Sequence, residues 1–164
     1  MFNLFHKVPE SKIIKNLVYI PEHHLYDGDT YLDRFDEMVS VSISKANVSY
    51  GERCIEYIRY EMFEGLWDEL YEGLCNYRNA SSRFKNEPVI EGEEILRHID
   101  MITIYISRPK EDTIGFVLAG GCDWDEEYGF AVVINDEEIR YVGRFDQFLD
   151  PWGEMPEMGN YKAR

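Results

Sequence analysis

The chain has 164 residues, with 17 Lys and Arg set against 32 Asp and Glu for a formal net charge of −15. A chain of this length fits one folding unit, residues 1–164, and its 15% aromatic content excludes a disordered polymer. The acidity excludes nucleic acid and anionic membrane surfaces as partners and makes a basic protein the natural complement.

Residues 1–9 lack a long apolar core of the signal-peptide type. No later run approaches the roughly 18 apolar residues of a membrane span, so a cytoplasmic protein is expected. Cys54, Cys75 and Cys122 are odd in number and match neither a disulfide framework nor a paired zinc knuckle, which favours reduced thiols. Ile13, Ile14 and the run Leu17-Val18-Tyr19-Ile20 predict a strand that stops at Pro21. His23 and His24 beside Glu22 and Asp27 read as a surface loop, and Asp27-Gly28-Asp29 as a turn. From Met38, the alternation of Val39, Val41 and Ile43 with Ser40, Ser42 and Ser44 predicts a half-buried strand with one serine-lined face.

Ser49-Tyr50-Gly51-Glu52 reads as a capping box opening one long amphipathic helix over 52–77. Ile55, Ile58, Met62, Leu66, Trp67, Leu70 and Leu74 recur at three- and four-residue steps and form its buried stripe. Gly65 inside that pattern predicts a kink or a close approach. On the other side Glu52, Glu56, Glu64, Asp68 and Glu72 fall on one i, i+4 ladder interrupted by Tyr60. Like charges at that spacing repel, so Glu56, Tyr60, Glu64, Asp68 and Glu72 are candidates for docking a cationic partner, against the plainer reading of a solvated helix face.

Residues 79–88 read as a loop, and 91–98 as a short helix with acidic residues first and basic ones last. Four strands follow as a meander, near 101–108, 113–119, 130–134 and 139–142, with turns at 108–112 and 135–137. Phe145, Phe148 and Leu149 suggest one helical turn, and 153–164 an irregular or frayed tail. The expected fold class is therefore α+β, a largely antiparallel sheet packed against one long helix.

The acidic loop between the second and third meander strands holds Asp123, Asp125, Glu126 and Glu127 without Lys or Arg among them. Backbone N–H groups, a cation or a partner must offset that repulsion. Its residues Cys122, Asp123, Trp124, Asp125, Glu126, Glu127, Tyr128 and Gly129, followed one strand later by Val142-Gly143 and Asp146, carry a resemblance. They are similar to a group of uncharacterised small bacterial proteins marked by C-x-W-x-x-E-H-G and then V-G-x-x-D. Similar small acidic proteins occur as immunity proteins in toxin systems, and the resemblance implies that role. Tyr128 stands where the group has His, which argues against any catalysis that needs an imidazole there. The motif reads as structural: Trp124 a buried plug, Gly129 in a conformation that side chains disfavour, Glu127 accepting loop N–H groups.

Asp123, Asp125 and Glu127 alternate like the opening of an EF-hand loop. Tyr128 and Ile134 occupy the places where that loop needs Gly and a bidentate Glu, leaving a looser cation site on Asp123, Asp125 and Glu126 as the alternative. Thiol catalysis by Cys122 with His98 is disfavoured by the adjacent carboxylates. No catalytic or cofactor-binding motif is recognisable. The expectation is a non-catalytic, cofactor-free binding module, most concretely an immunity protein facing a basic toxin. The alternative is a metal-dependent hydrolase or cation-binding protein centred on the acidic loop.

Overall fold

The computed structural model describes residues 7–44 and 46–164; the N-terminal reading of residues 1–6 lies outside the described residues. Seven strands form one sheet in the order β1-β2-β3-β4-β5-β6-β7: Lys15–Ile20, Leu25–Leu32, Glu37–Ser44, Ile99–Ser107, Gly115–Cys122, Phe130–Asn135 and Glu138–Gly143. Every pairing is antiparallel except β3 with β4, where the helical segment crosses over to restart the sheet. The fold is thus mixed α and β with a mostly antiparallel sheet.

The Asp27-Gly28-Asp29 stretch lies in the middle of β2 and is not a turn. A Cβ at Gly28 would collide with Ile14 and the Lys15 carbonyl, so the glycine serves the close approach of the preceding segment. Buried Thr30 secures that approach by donating to the Ile13 carbonyl at 3.0 Å. Across the hairpin, Val39, Val41 and Ile43 turn inward while Ser40, Ser42 and Ser44 stay half-buried or exposed, as the alternation requires.

The single long helix is corrected to two. Helix α1 spans Val48–Glu56, a π-helical turn occupies Tyr57–Glu61, Met62 and Phe63 are extended, and α2 spans Glu64–Asn79. Asn47, not Ser49, caps α1, its Oδ1 accepting from the Tyr50 N–H at 2.7 Å. The break is held by the Met62 N–H bonding the Tyr57 carbonyl at 2.8 Å, and by Arg59, which donates to Thr30 Oγ1 at 2.7 Å and to the Tyr31 carbonyl at 2.9 Å. Tertiary anchoring of the turn to β2 overrides the continuous 3.6-residue pattern. The stripe is buried at every position from Ile55 to Leu74 nonetheless, because both helices lie on the same face of the sheet. Gly51 meets Ile43 of β3 and Gly73 meets Val142 of β7.

The sheet's far face has its own cover at one end. Val117, Ala119, Ala131, Val133 and Tyr141 pack against Phe145, Leu149 and Met155, so β6 is buried on both sides. One hydrogen-bonded turn stands in the stretch 145–149, the Leu149 N–H bonding the Asp146 carbonyl at 3.1 Å, with no longer helix; Phe145 and Leu149 pack while Phe148 projects into solvent. The 153–164 tail is irregular, yet it is pinned along the β7 edge. Tyr161 N–H bonds the Val142 carbonyl at 2.7 Å, Asn160 Oδ1 accepts from Val142 N–H at 3.2 Å, and Asn160 Nδ2 donates to the Arg140 carbonyl at 3.0 Å. The 91–98 segment is a 3₁₀ helix, Gly92–His98, packed on α2.

Candidate functional site

The acidic loop joins β5 to β6, and its repulsion is relieved by side chains that reach it from elsewhere in the chain. Asp125 is nearly buried at 11% side-chain exposure, and its Oδ2 accepts from both the Tyr77 hydroxyl of α2 and Arg144 Nε beyond β7, each at 2.8 Å. Its Oδ1 accepts from the Tyr128 N–H at 3.2 Å, so Asp125, in place of Glu127, satisfies the loop's backbone; Glu127 is exposed. Glu126 pairs with Arg83 at 2.8 Å, and Asp123 Oδ2 lies 2.7 Å from His98 Nδ1. The Arg144 guanidinium also sits 4.7 Å over the Tyr128 ring.

The motif's remaining residues hold the loop's shape. Trp124 is only 4% exposed and meets Tyr77 edge-on at 5.6 Å. Gly129 has φ of +65°, and a Cβ there would overlap the Gly120 carbonyl, so only glycine fits. Cys122 is buried beneath the turn and donates to the Asp125 carbonyl; burial pushes its thiol up to about 11, which keeps it protonated near neutral pH. Burial, followed by the hydrogen bond to Asp125, raises Tyr77 well above the usual phenol range. Asp146 of the Val142-Gly143-x-x-Asp segment accepts from the Phe148 N–H at 2.8 Å, and Tyr141 OH donates to the Arg144 carbonyl at 2.8 Å. Both contacts fix the strand end from which Arg144 reaches the loop.

Beside this loop, Tyr77, Ser81, Arg83, Arg144 and Tyr161 line an open cleft of about 730 Å³. Asp123, Asp125 and Glu126 diverge to three different cationic or donor groups. Among the described residues no three His, Cys, Asp or Glu side chains converge as metal ligands. His98 stands beside Asp123 and not within bonding contact of the Cys122 sulfur, whose partner is a carbonyl.

The helix candidates sort differently. Glu56 ends α1 and Tyr60 lies on the π turn, so the ladder is not one helical stripe; Glu64, Asp68 and Glu72 share the exposed side of α2. Glu64 is held by a two-pronged contact with Arg34, which keeps its carboxyl below the usual range and places the guanidinium 4.7 Å over the Trp67 ring. Asp68 and Glu72 form no ion pair among the described residues. Exposed Glu91, Glu93 and Glu94 lie on or beside the 3₁₀ helix that packs on α2. The buried Tyr71 hydroxyl feels both elements: burial raises it first, and Glu93 and Glu64 add to that against Arg34. Sequence reasoning missed Tyr77, Arg83, Arg144 and Arg34 as partners of these carboxylates. Only Arg144, inside the Val-Gly-x-x-Asp segment, stood near a recognisable signal.

A mostly antiparallel sheet with helices on one face and an acidic loop braced by Tyr77, Arg83, His98 and Arg144 defines a small mixed α and β domain. The model of a family described as a domain of unknown function, DUF6985, matches residues 30–149, and the chain belongs to that family. Comparison with curated proteins and with solved structures returns no match.

Proposed function

We propose that this chain is a non-catalytic protein-binding module whose helical face takes a basic partner, most concretely as a cytoplasmic immunity-type protein that neutralises a basic bacterial toxin. The observation that carries the reading is the exposed pair Asp68 and Glu72 on α2, without cationic partners among the described residues, on the helix against which the 3₁₀ helix carrying exposed Glu93 and Glu94 packs. Asp68 and Glu72 lie four positions apart on one helix, a spacing at which like charges repel, and a cationic partner would remove that cost on docking. The acidic loop supports the reading from the other side, since three of its four carboxylates, Glu126, Asp125 and Asp123, already have partners in Arg83, Arg144 and His98. A divalent ion there would have to displace the contacts of these carboxylates with His98, Tyr77, Arg144 and Arg83, which weakens the hydrolase and cation-binding alternative. Three buried, unpaired cysteines agree with a reducing compartment.

The test is charge reversal. Asp68→Lys with Glu72→Lys should lower the association rate with a basic partner encoded beside this gene by about tenfold or more at low salt, and leave the unfolding midpoint unchanged or raised. An unaltered association rate would remove the helical face from consideration.

A further inference from the structure

The break between the helices presents two aromatic rings to solvent: Tyr60 on the π turn is 79% exposed and Phe63 just after it 50% exposed. Phe63 occupies the N-cap position of α2, where it offers no side-chain acceptor to the first-turn N–H groups. Ser, Thr, Asp or Asn at that place would cap the helix, so the half-exposed phenyl ring breaks a local rule. Gly65 accommodates it, because a Cβ there would crowd the Phe63 ring, which lies against the helix backbone. The turn itself is held in place by Arg59 on β2, so the rings are presented with little ordering left to lose on binding.

The surroundings select the occupant. Glu56 and Glu61, which flank the two rings in sequence, are exposed and form no ion pair among the described residues, whereas Glu64 is paired with Arg34 and the Arg59 guanidinium is held on the Thr30 and Tyr31 oxygens. Exposed apolar rings next to unpaired carboxylates fit a segment of opposite sign that carries aliphatic side chains. We propose that Tyr60 and Phe63 are the apolar anchor of the partner-binding face, seating a Lys- and Arg-rich protein segment through its aliphatic side chains. This inference rests on the binding reading above and names where its partner's apolar contact falls.

Two synthetic peptides of equal positive charge separate the possibilities, one with Leu between its basic residues and one with Ser in their place. Each is titrated by NMR into the full chain and into its Tyr60→Ala and Phe63→Ser variants. The Leu peptide should bind at least about tenfold more tightly than the Ser peptide, with its largest shifts over residues 57–65. Both variants should erase that advantage, and Phe63→Ser should do so with Tm unchanged or raised, since serine caps α2. Should Phe63→Ser fail to fold, Tyr60→Ala decides alone, because its ring is solvated. Equal binding of the two peptides, or a Leu advantage that survives both variants, overturns the anchor and leaves the acidic-face reading standing. Failure of both peptides to bind overturns the anchor and the acidic-face reading together.

Discussion

Arg144 Nε and the Tyr77 hydroxyl converge on one oxygen of Asp125, tying the end of β7 and the last turns of α2 to the loop between β5 and β6. Three separate stretches of chain therefore share one carboxylate. Removing any member should be felt by the others, in proportion to burial. Tyr77→Phe should cost about 1 kcal/mol and Asp125→Ala about 1–3 kcal/mol, held below the fully buried range because Arg144 reaches solvent. A double-mutant cycle of the two, read from urea midpoints, should give a coupling of about 0.5–2 kcal/mol. Strict additivity would mean that the hydrogen bond carries no weight.

Gly129 makes the strongest local demand in the loop. Alanine there would need φ near +65° and would drive its Cβ into the Gly120 carbonyl. Gly129→Ala should destabilise by at least about 2 kcal/mol. A thermal midpoint equal to that of the parent would show that the turn can rearrange.

Trp124 is buried, but its indole Nε1 has no hydrogen-bond partner among the described residues. Trp124→Ala should cost about 3–5 kcal/mol through lost packing. Trp124→Phe keeps much of the volume and removes the orphaned donor, so it should cost less than about 1.5 kcal/mol. Equal losses for the two variants would contradict a packing role.

Alkaline pH should unfold the protein. Burial raises Cys122 to about 11, Cys54 to about 12 and Tyr57 to about 12, from ordinary values of 9.0, 9.0 and 10.0. Folded values above unfolded ones mean that the neutral forms are favoured in the native state. Their contribution is full below pH 9 and is lost as pH rises through 11 and 12. The urea midpoint should hold from pH 7 to about 9 and fall steeply above it, and Cys54→Ala should flatten that fall. A midpoint constant to pH 11 would contradict the burial of these groups.

Much of the sheet was legible because its strands obey simple alternation: Val39, Val41 and Ile43, or Ile102, Ile104 and Ile106, state their buried face outright. Strand β2 was hidden by Asp27-Gly28-Asp29, since a glycine needed for the approach of Ile14 is spelled like one needed for a turn. The helix break was hidden too, because the apolar stripe runs through it unbroken and its cause, Arg59 on Thr30 and Tyr31, is a contact across 28 or 29 positions. At the acidic loop the problem was visible and its solution was not. Four carboxylates without a cation announced a repulsion, but Tyr77 and Arg83 come from more than forty positions away. The need for glycine at position 129 was readable; the identity of Asp125 as the residue holding the backbone was not.

The central claim is that a basic partner covers the helical face, and hydrogen exchange of the complex tests it most directly. Amides in residues 57–72 and 91–98 should gain protection on binding, with the acidic loop at 122–129 unchanged. Protection confined to 122–129, or to the serine-lined face of β3, would contradict the account.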